Sequence, residues 1–248
     1  LTHKTRGIIL RAVKYGETSL ILTLFTEKFG LQSYLVNGVR KQQKTTKTAM
    51  LQPASILDLE VYYSESKNLQ RIKEYSWAKV YNNLFSDVIR HSIADYIIEL
   101  MAKSIKQPEH NADLYSFCED VLLHLDHSSS AVAANMPLFF SLQLAKILGF
   151  GLEPPLTSAA STYPKFLDLQ EGVFLNEPPE HLVFIEGKNL EILIELLAVM
   201  QPDELEAFKL NKDIRRVLLN ALEMYYRYHI SDFGSLRTIK IMQEVLGV

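Results

Sequence analysis

Apolar and polar side chains alternate with a period of two through the first eighty residues, and a helical period governs most of the remaining chain. Residues 6–13 are rich in apolar and β-branched side chains and stop at the Tyr15-Gly16-Glu17 turn. Residues 18–26 place Leu20, Leu22 and Leu24 on one face and Ile21, Thr23 and Phe25 on the other. Two largely apolar faces predict a central strand. Phe29-Gly30 turns the chain into a third strand over residues 31–36. Residues 56–63 alternate cleanly, with Leu57, Leu59, Val61 and Tyr63 opposed to Asp58, Glu60 and Tyr62, and residues 68–77 supply a fifth, more polar strand. Five short antiparallel strands predict a small closed or partly closed barrel, for which the OB-fold is the commonest five-stranded choice.

After residue 80 the period changes. Residues 86–105 put Ile89, Ile93, Tyr96, Ile97, Leu100 and Met101 on one stripe, which predicts a helix. Residues 112–125 repeat the pattern through Leu114, Phe117, Val121 and Leu125. A more apolar helix is predicted over 136–148, ending at Gly149 and Gly151, and further helices over 189–200, 212–229 and 236–245. Between them, residues 152–180 hold five prolines and a hairpin signal, FLDLQEGVFL, that turns at Glu171-Gly172. The expectation is a multi-domain α+β protein. An N-terminal five-stranded OB-type β-barrel over residues 1–80 precedes a mainly α-helical domain over 81–248, which carries a small β-hairpin insertion at about 152–180. The boundary near 79–84 shows no flexible linker.

Composition supports a folded chain, since 48% apolar and 10% aromatic residues suffice for a core. No apolar run approaches the roughly 18 residues of a membrane span; residues 190–200 are interrupted by Glu191 and Glu195. Residues 1–25 lack a signal-peptide layout because Arg6, Arg11, Lys14 and Glu17 break any apolar centre, so a cytoplasmic protein is expected. A single cysteine, Cys118, excludes an internal disulfide and a four-cysteine zinc site.

Charge sharpens the picture. Of the chain's 26 Lys and Arg and 29 Asp and Glu, residues 1–80 hold 13 and 6, leaving 13 and 23 for residues 81–248: +7 against −10. Such asymmetry points the basic part at a polyanion. The segment GVRKQQKTTKTAM at 38–50 carries Arg40, Lys41, Lys44 and Lys47, and no acidic residue occurs between Glu27 and Asp58. Closely spaced cations release condensed counterions from phosphates, and Gln and Thr add hydrogen bonds to phosphate or sugar. Single-strand binders add aromatic platforms. Tyr15, Phe25, Phe29, Tyr34, Tyr62, Tyr63 and Tyr75 are candidates, and Tyr34 and Tyr62, on the more polar faces, are the expected stackers.

Enzyme chemistry finds no support: the chain has no GxSxG, HExxH, Walker loop, or GxGxxG opening a helix. Cys118 and His124 are six residues apart on one helix and face different ways, so a metal site with His127 is not expected. His124 and His127 sit in a last helical turn, where a cation is favoured. The Glu119-Asp120 and Asp203-Glu204 pairs read as solvated faces, and Lys212, Arg215 and Arg216 as partners of Asp213 and its neighbours. Charge and stacking alone leave an RNA-binding OB-fold protein as the alternative.

The run RGIILRAVKYGETSLILTLFTEKFG at residues 6–30 is similar, nearly residue for residue, to the N-terminus of the RecO family. VNGVRK at 36–41, LQP at 51–53, LAKILGFG at 144–151 and YRYHI at 226–230 resemble it further, so the likeness spans almost the whole chain. It implies a non-enzymatic mediator of homologous recombination that binds single- and double-stranded DNA and anneals strands coated with single-strand-binding protein. Such a mediator acts with RecR to load RecA and consumes no cofactor. Matched by motif, Arg6, Arg11, Arg40 and Lys41 are expected DNA contacts, with Lys44 and Lys47 added from charge alone. The resemblance also implies that the helical domain docks the acidic, phenylalanine-ended tail of single-strand-binding protein. Lys146 is the expected cation there, among Leu142, Ala145, Leu148 and Phe150, with Lys103 and Lys106 as the others available. Many relatives carry a four-cysteine zinc module in the region matching 152–176; this stretch has no cysteine, so its hairpin is expected to form without metal.

Overall fold

The computed structural model describes residues 2–39, 49–106, 109–154 and 163–246. The alternating segments form β1 (Thr2–Tyr15), β2 (Ser19–Thr26), β3 (Gly30–Val36), β4 (Ile56–Tyr62) and β5 (Leu69–Trp77). They close into a barrel of order β1-β2-β3-β5-β4, the expected OB arrangement. β1 is longer than its apolar stretch suggests because it serves two partners. Thr2 to Ile8 pairs with β4 and Gly7 to Tyr15 with β2, and the register shifts between Ile9 and Arg11. That bulge bends the strand around the corner of the barrel. The β3–β5 pair is parallel, unlike the all-antiparallel expectation.

Ile9, Leu22, Leu24, Leu57, Leu59 and Val61 fill the barrel, with Val39, Met50 and Leu51 packed among them. Gly30 turns β2 into β3 with φ +59°, and a Cβ there would overlap the Glu109 carbonyl. Only glycine fits both demands.

The helical segments form α1 (Val88–Ser104), α2 (Ala112–His127), α3 (Ser130–Ile147), α4 (Gly187–Leu197), α5 (Lys212–His229) and α6 (Arg237–Leu246). A 3-10 turn at Pro202–Ala207 adds to the expected helices. The third helix starts at Ser130, six residues before the expected 136, capped by Ser129, whose side chain accepts from Val132 N. Pro137 lies inside it.

The hairpin over 166–175 forms as β6 (Phe166–Asp168) and β7 (Val173–Leu175), and a third strand, β8 (Phe184–Glu186), completes a sheet of order β7-β6-β8. Two compact units result: Leu1–Phe85 with Met101–Asp126, and Ser86–Leu100 with His127–Val248. Within the first, the Asp126 carboxylate accepts from the backbone N–H groups of Asn82, Asn83 and Leu84 at 2.7–2.9 Å, tying down the chain that leaves the barrel.

Candidate nucleic-acid interface

Pairing register decides which barrel side chains point outward. Val13 stands opposite Ile21, Ile21 opposite Leu35, Leu35 opposite Arg71 and Arg71 opposite Tyr62, so these five share the outer face. A parallel row holds Arg11, Thr23, Ser33 and Leu69. Tyr15, beyond Val13 at the end of β1, is 53% exposed, and Tyr62 is 48% exposed. Arg11 and Arg71 are exposed and meet no carboxylate among the described residues.

The neighbouring side of the same outer wall is built differently. Arg6, Lys4, Asp58, Glu60 and Glu74 line a cleft along β1, β4 and β5. The Arg6 guanidinium donates to Glu119 of α2 at 2.7 Å and lies 3.9 Å from Asp58. Glu119, 10% exposed at its side chain, also accepts from the Tyr115 hydroxyl at 3.3 Å. The hydrogen bond from Arg6 to Glu119, and then their mutual attraction, hold the Arg6 charge more firmly than an exposed guanidinium. Lys73 donates to Glu60 at 2.8 Å, which raises the lysine and lowers the carboxyl from their ordinary values.

The expected DNA contacts therefore separate. Arg40, Lys41, Lys44 and Lys47 lie outside the described residues. Arg11 and Tyr62 lie on the outer band, whereas Arg6 is committed to carboxylates. Tyr34 does not lie on a polar outer face: it is 0% exposed inside the barrel. Its register partners, Leu22 and Gln70, are both buried, and that pairing fixes its direction. A ring enclosed in this way cannot stack on a base. Burial pushes its phenol far above the ordinary value. Sequence patterning offers Tyr15 as one of seven aromatic candidates and does not bring out Arg71; the strand register places both on the outer face.

In the second unit, Lys146 is exposed in the last turn of α3. Leu142 and Ala145 beside it are buried in the core, and the Phe150 ring packs against Tyr226 and His229. Lys103, half-buried, and Lys106, exposed, belong to the barrel unit. Arg216 pairs with Asp213 at 2.8 Å, while Arg215 donates to Leu210 O. Cys118 is fully buried, which pushes its thiol up. Among the described residues no cluster of three metal-ligand side chains occurs.

The small sheet does not fit the zinc module of relatives. No thiolate is present, and the turn is held by protein groups. Asp168 Oδ1 accepts from Gln170 N and Glu171 N at 2.8 and 3.2 Å, and its Oδ2 lies 3.2 Å from His181 Nε2. Gly172, φ +70°, closes the turn against Tyr225.

Taken together, these features define a class: an OB-type barrel with a cation-bearing outer wall, joined to a helical unit that carries a small sheet. Family models agree. Recombination protein O N terminal matches residues 1–81 and Recombination protein O C terminal matches 86–237. The chain belongs to the recombination protein O family. It is similar to the DNA repair protein RecO of Flavobacterium psychrophilum, 31% identical over 98% of this chain and 99% of that one. Similar too are the RecO proteins of Christiangramia forsetii, 30% over 98% of each, and Bacteroides fragilis, 28% over 99% of each. No helix among the described residues is long and apolar enough to cross a membrane.

Proposed function

We propose that this chain is a DNA-binding recombination mediator that anneals complementary strands and, with RecR, helps load RecA onto DNA coated with single-strand-binding protein. One observation carries the reading: family membership over nearly the full length coincides with a barrel of which one outer side bears cations without carboxylate partners among the described residues. Arg11, Arg40, Lys41, Lys44 and Lys47 supply phosphate contacts, and Tyr62 a base contact. Arg6 positions α2 through Glu119. Lys146 receives the carboxylate of the single-strand-binding protein tail, with Lys103 or Lys106 as the alternatives. The protein works without a cofactor, in the cytoplasm at the nucleoid. RNA binding is not favoured, since the relatives are named for DNA repair.

The test is binding across a salt series. If about four phosphates are neutralised, the log–log slope for single strands is near −3. Replacing Arg40, Lys41, Lys44 and Lys47 together by Glu removes most binding with the helical unit still folded; unchanged affinity would reject the loop. RNA competing as well as DNA at fixed salt would reverse the choice of polymer. Annealing of coated strands, RecR co-purification and titration of a labelled tail peptide check the partners, with Lys146→Glu weakening the last.

A further inference from the structure

The three-stranded sheet of the second unit buries one face and shows the other. Leu167 of β6 and Ile185 of β8 stand side by side and are buried. The alternate positions pair in two rows: Val173, Asp168 and Phe184, then Leu175, Phe166 and Glu186. Alternation turns both rows to the opposite face. Asp168 is satisfied by Gln170 N, Glu171 N and His181, so that face offers Phe166, Val173, Leu175 and Phe184. Val173 is 44% exposed and the other three are half-buried. Leu182, two residues before Phe184, is 93% exposed, more than any other large apolar side chain among the described residues. An apolar patch inside a charged rim marks a contact surface. Here the rim is acidic. Glu186 stands on the face itself, and Glu171, Glu177 and Glu180 are exposed on the two loops that join the strands. None of the four is ion-paired to a lysine or arginine among the described residues. Between positions 165 and 188 the chain sets only Lys165 and Lys188 against five carboxylates, Asp168 included.

We propose that this face docks a short basic segment of another protein. Its apolar side chains lie on Phe166, Val173, Leu175, Leu182 and Phe184, and its Lys or Arg side chains meet the acidic rim. The charge argues against three other occupants. A nucleic acid is repelled by the carboxylates. A second copy using the same face would set carboxylates against carboxylates. Residues 155–162, PLTSAAST, carry no cation and a single large apolar side chain, Leu156. Size narrows the partner further. Three strands of three residues make a face about 10 Å on a side, far short of the roughly 800 Å² per partner of a stable domain interface. A peptide-sized segment with alternating apolar and basic side chains fits it. Apolar contact supplies the affinity, while the rim selects by charge and makes the contact sensitive to salt. The inference goes beyond the DNA-binding reading and does not depend on it.

The experiment titrates the full chain against three labelled peptides of one length, in which Lys alternates with Phe, Glu with Phe, or Lys with Ser. Wild type binds the Lys/Phe peptide at least about tenfold more tightly than either of the others. Val173→Ser/Leu182→Ser changes two exposed side chains and weakens that binding about tenfold at an unchanged urea midpoint. Glu177→Gln/Glu180→Gln weakens it and flattens its salt dependence, whereas Glu153→Gln/Glu244→Gln, the same charge change elsewhere, leaves it unaltered. Equal binding of the Lys/Ser peptide would reduce the effect to net charge, and equal binding of the Glu/Phe peptide would remove the role of the rim. Either result overturns the proposal without needing a variant to fold, as does failure to bind the Lys/Phe peptide at all. A serine variant that binds the Lys/Phe peptide as wild type does puts the contact on another surface and overturns it. Loss of self-association in sedimentation, or of DNA affinity, in that variant would seat a second copy or a nucleic acid on the face and overturn it too.

Discussion

Two sides of one barrel wall carry cations, and they spend them differently. On one side, Arg6 of β1 is held by Glu119 and Asp58, and Lys73 of β5 by Glu60 of β4. Along β1, β2, β3 and β5, Arg11 and Arg71 stand among Val13, Ile21, Leu35, Thr23 and Ser33, with no acidic partner among the described residues. Both sides draw on the 13 Lys and Arg of residues 1–80. Only the second leaves its charge available to a polyanion at no cost in broken ion pairs. A count of cations locates a domain that can meet nucleic acid; carboxylate pairing locates the surface.

Equal charge changes on the two sides should have unequal effects. Arg11→Glu/Arg71→Glu is expected to weaken binding to single-stranded DNA by about 10–100-fold, since each lost phosphate contact also forfeits its counterion release. Lys4→Glu/Lys73→Glu carries the same change in net charge and should shift affinity by no more than about threefold. Work at 0.1 M salt or above screens charges more than about 10 Å apart, so that net charge by itself contributes little. Anisotropy titrations of both variants decide it. Equal losses would mean that net charge governs binding and that the two sides do not differ.

The second way to test the contrast is through stability. Arg6→Gln leaves the Glu119 carboxylate, 10% exposed, without its cation. Stranding a buried charge costs about 3–5 kcal/mol. Arg6 itself is 37% exposed, so water replaces part of what it gave, and about 1–2 kcal/mol is the expected loss. Urea unfolding should show a lower midpoint at unchanged slope. Arg6→Gln/Glu119→Gln should recover most of it, because no charge is then left stranded. DNA affinity should move little in either variant. A variant of normal stability and lost affinity would return Arg6 to the DNA surface.

How much of this was legible in the chain depends on distance along it. Alternation in residues 56–63 specified a barrel strand and its inward face, Leu57, Leu59 and Val61, whereas residues 18–26, apolar on both faces, read as a strand whose inward side, Leu20, Leu22 and Leu24, needed the pairing to show. β3 was harder: Leu31 and Leu35 flank Ser33 on one face, while Gln32, Tyr34 and Val36 make the other, and both look mixed. The pairing of Tyr34 with Leu22 and of Val36 with Leu20 decides between them, and pairing is not a local property. The expected start of α3 at 136 falls six residues late because SAVAAN at 130–135 is made mostly of small side chains and shows no long apolar stripe, and Pro137 lies inside the helix rather than at its end. β8, at three residues, is too short for any period to show. The Arg6–Glu119 bond joins residues 113 apart, so nothing near Arg6 announces that its charge is spent. The same holds for the outer band, whose members come from five strands.

The smallest expected effect separates the barrel's interior from its wall at a single oxygen. Tyr34 is fully enclosed, and its hydroxyl has no hydrogen-bond partner among the described residues. Thr26 Oγ1, the side chain placed to help it, donates its hydrogen to Gly30 O at 2.9 Å and accepts from Phe29 N at 3.1 Å. An unpaired hydroxyl in an apolar core has given up its water without replacement, at a cost of about 1–3 kcal/mol. Tyr34→Phe removes the oxygen and keeps the ring, so it should leave the unfolding midpoint unchanged or raise stability by up to about 1 kcal/mol. DNA affinity should not change, because a residue inside the barrel touches no ligand. Tyr62→Ala, on the wall in line with Arg71, should lower single-strand affinity without altering the midpoint. A Tyr34→Phe protein that stayed as stable as wild type and yet bound single strands more weakly would mean that the ring reaches solvent in the working molecule, and the division between inner and outer tyrosines would fail at its sharpest point.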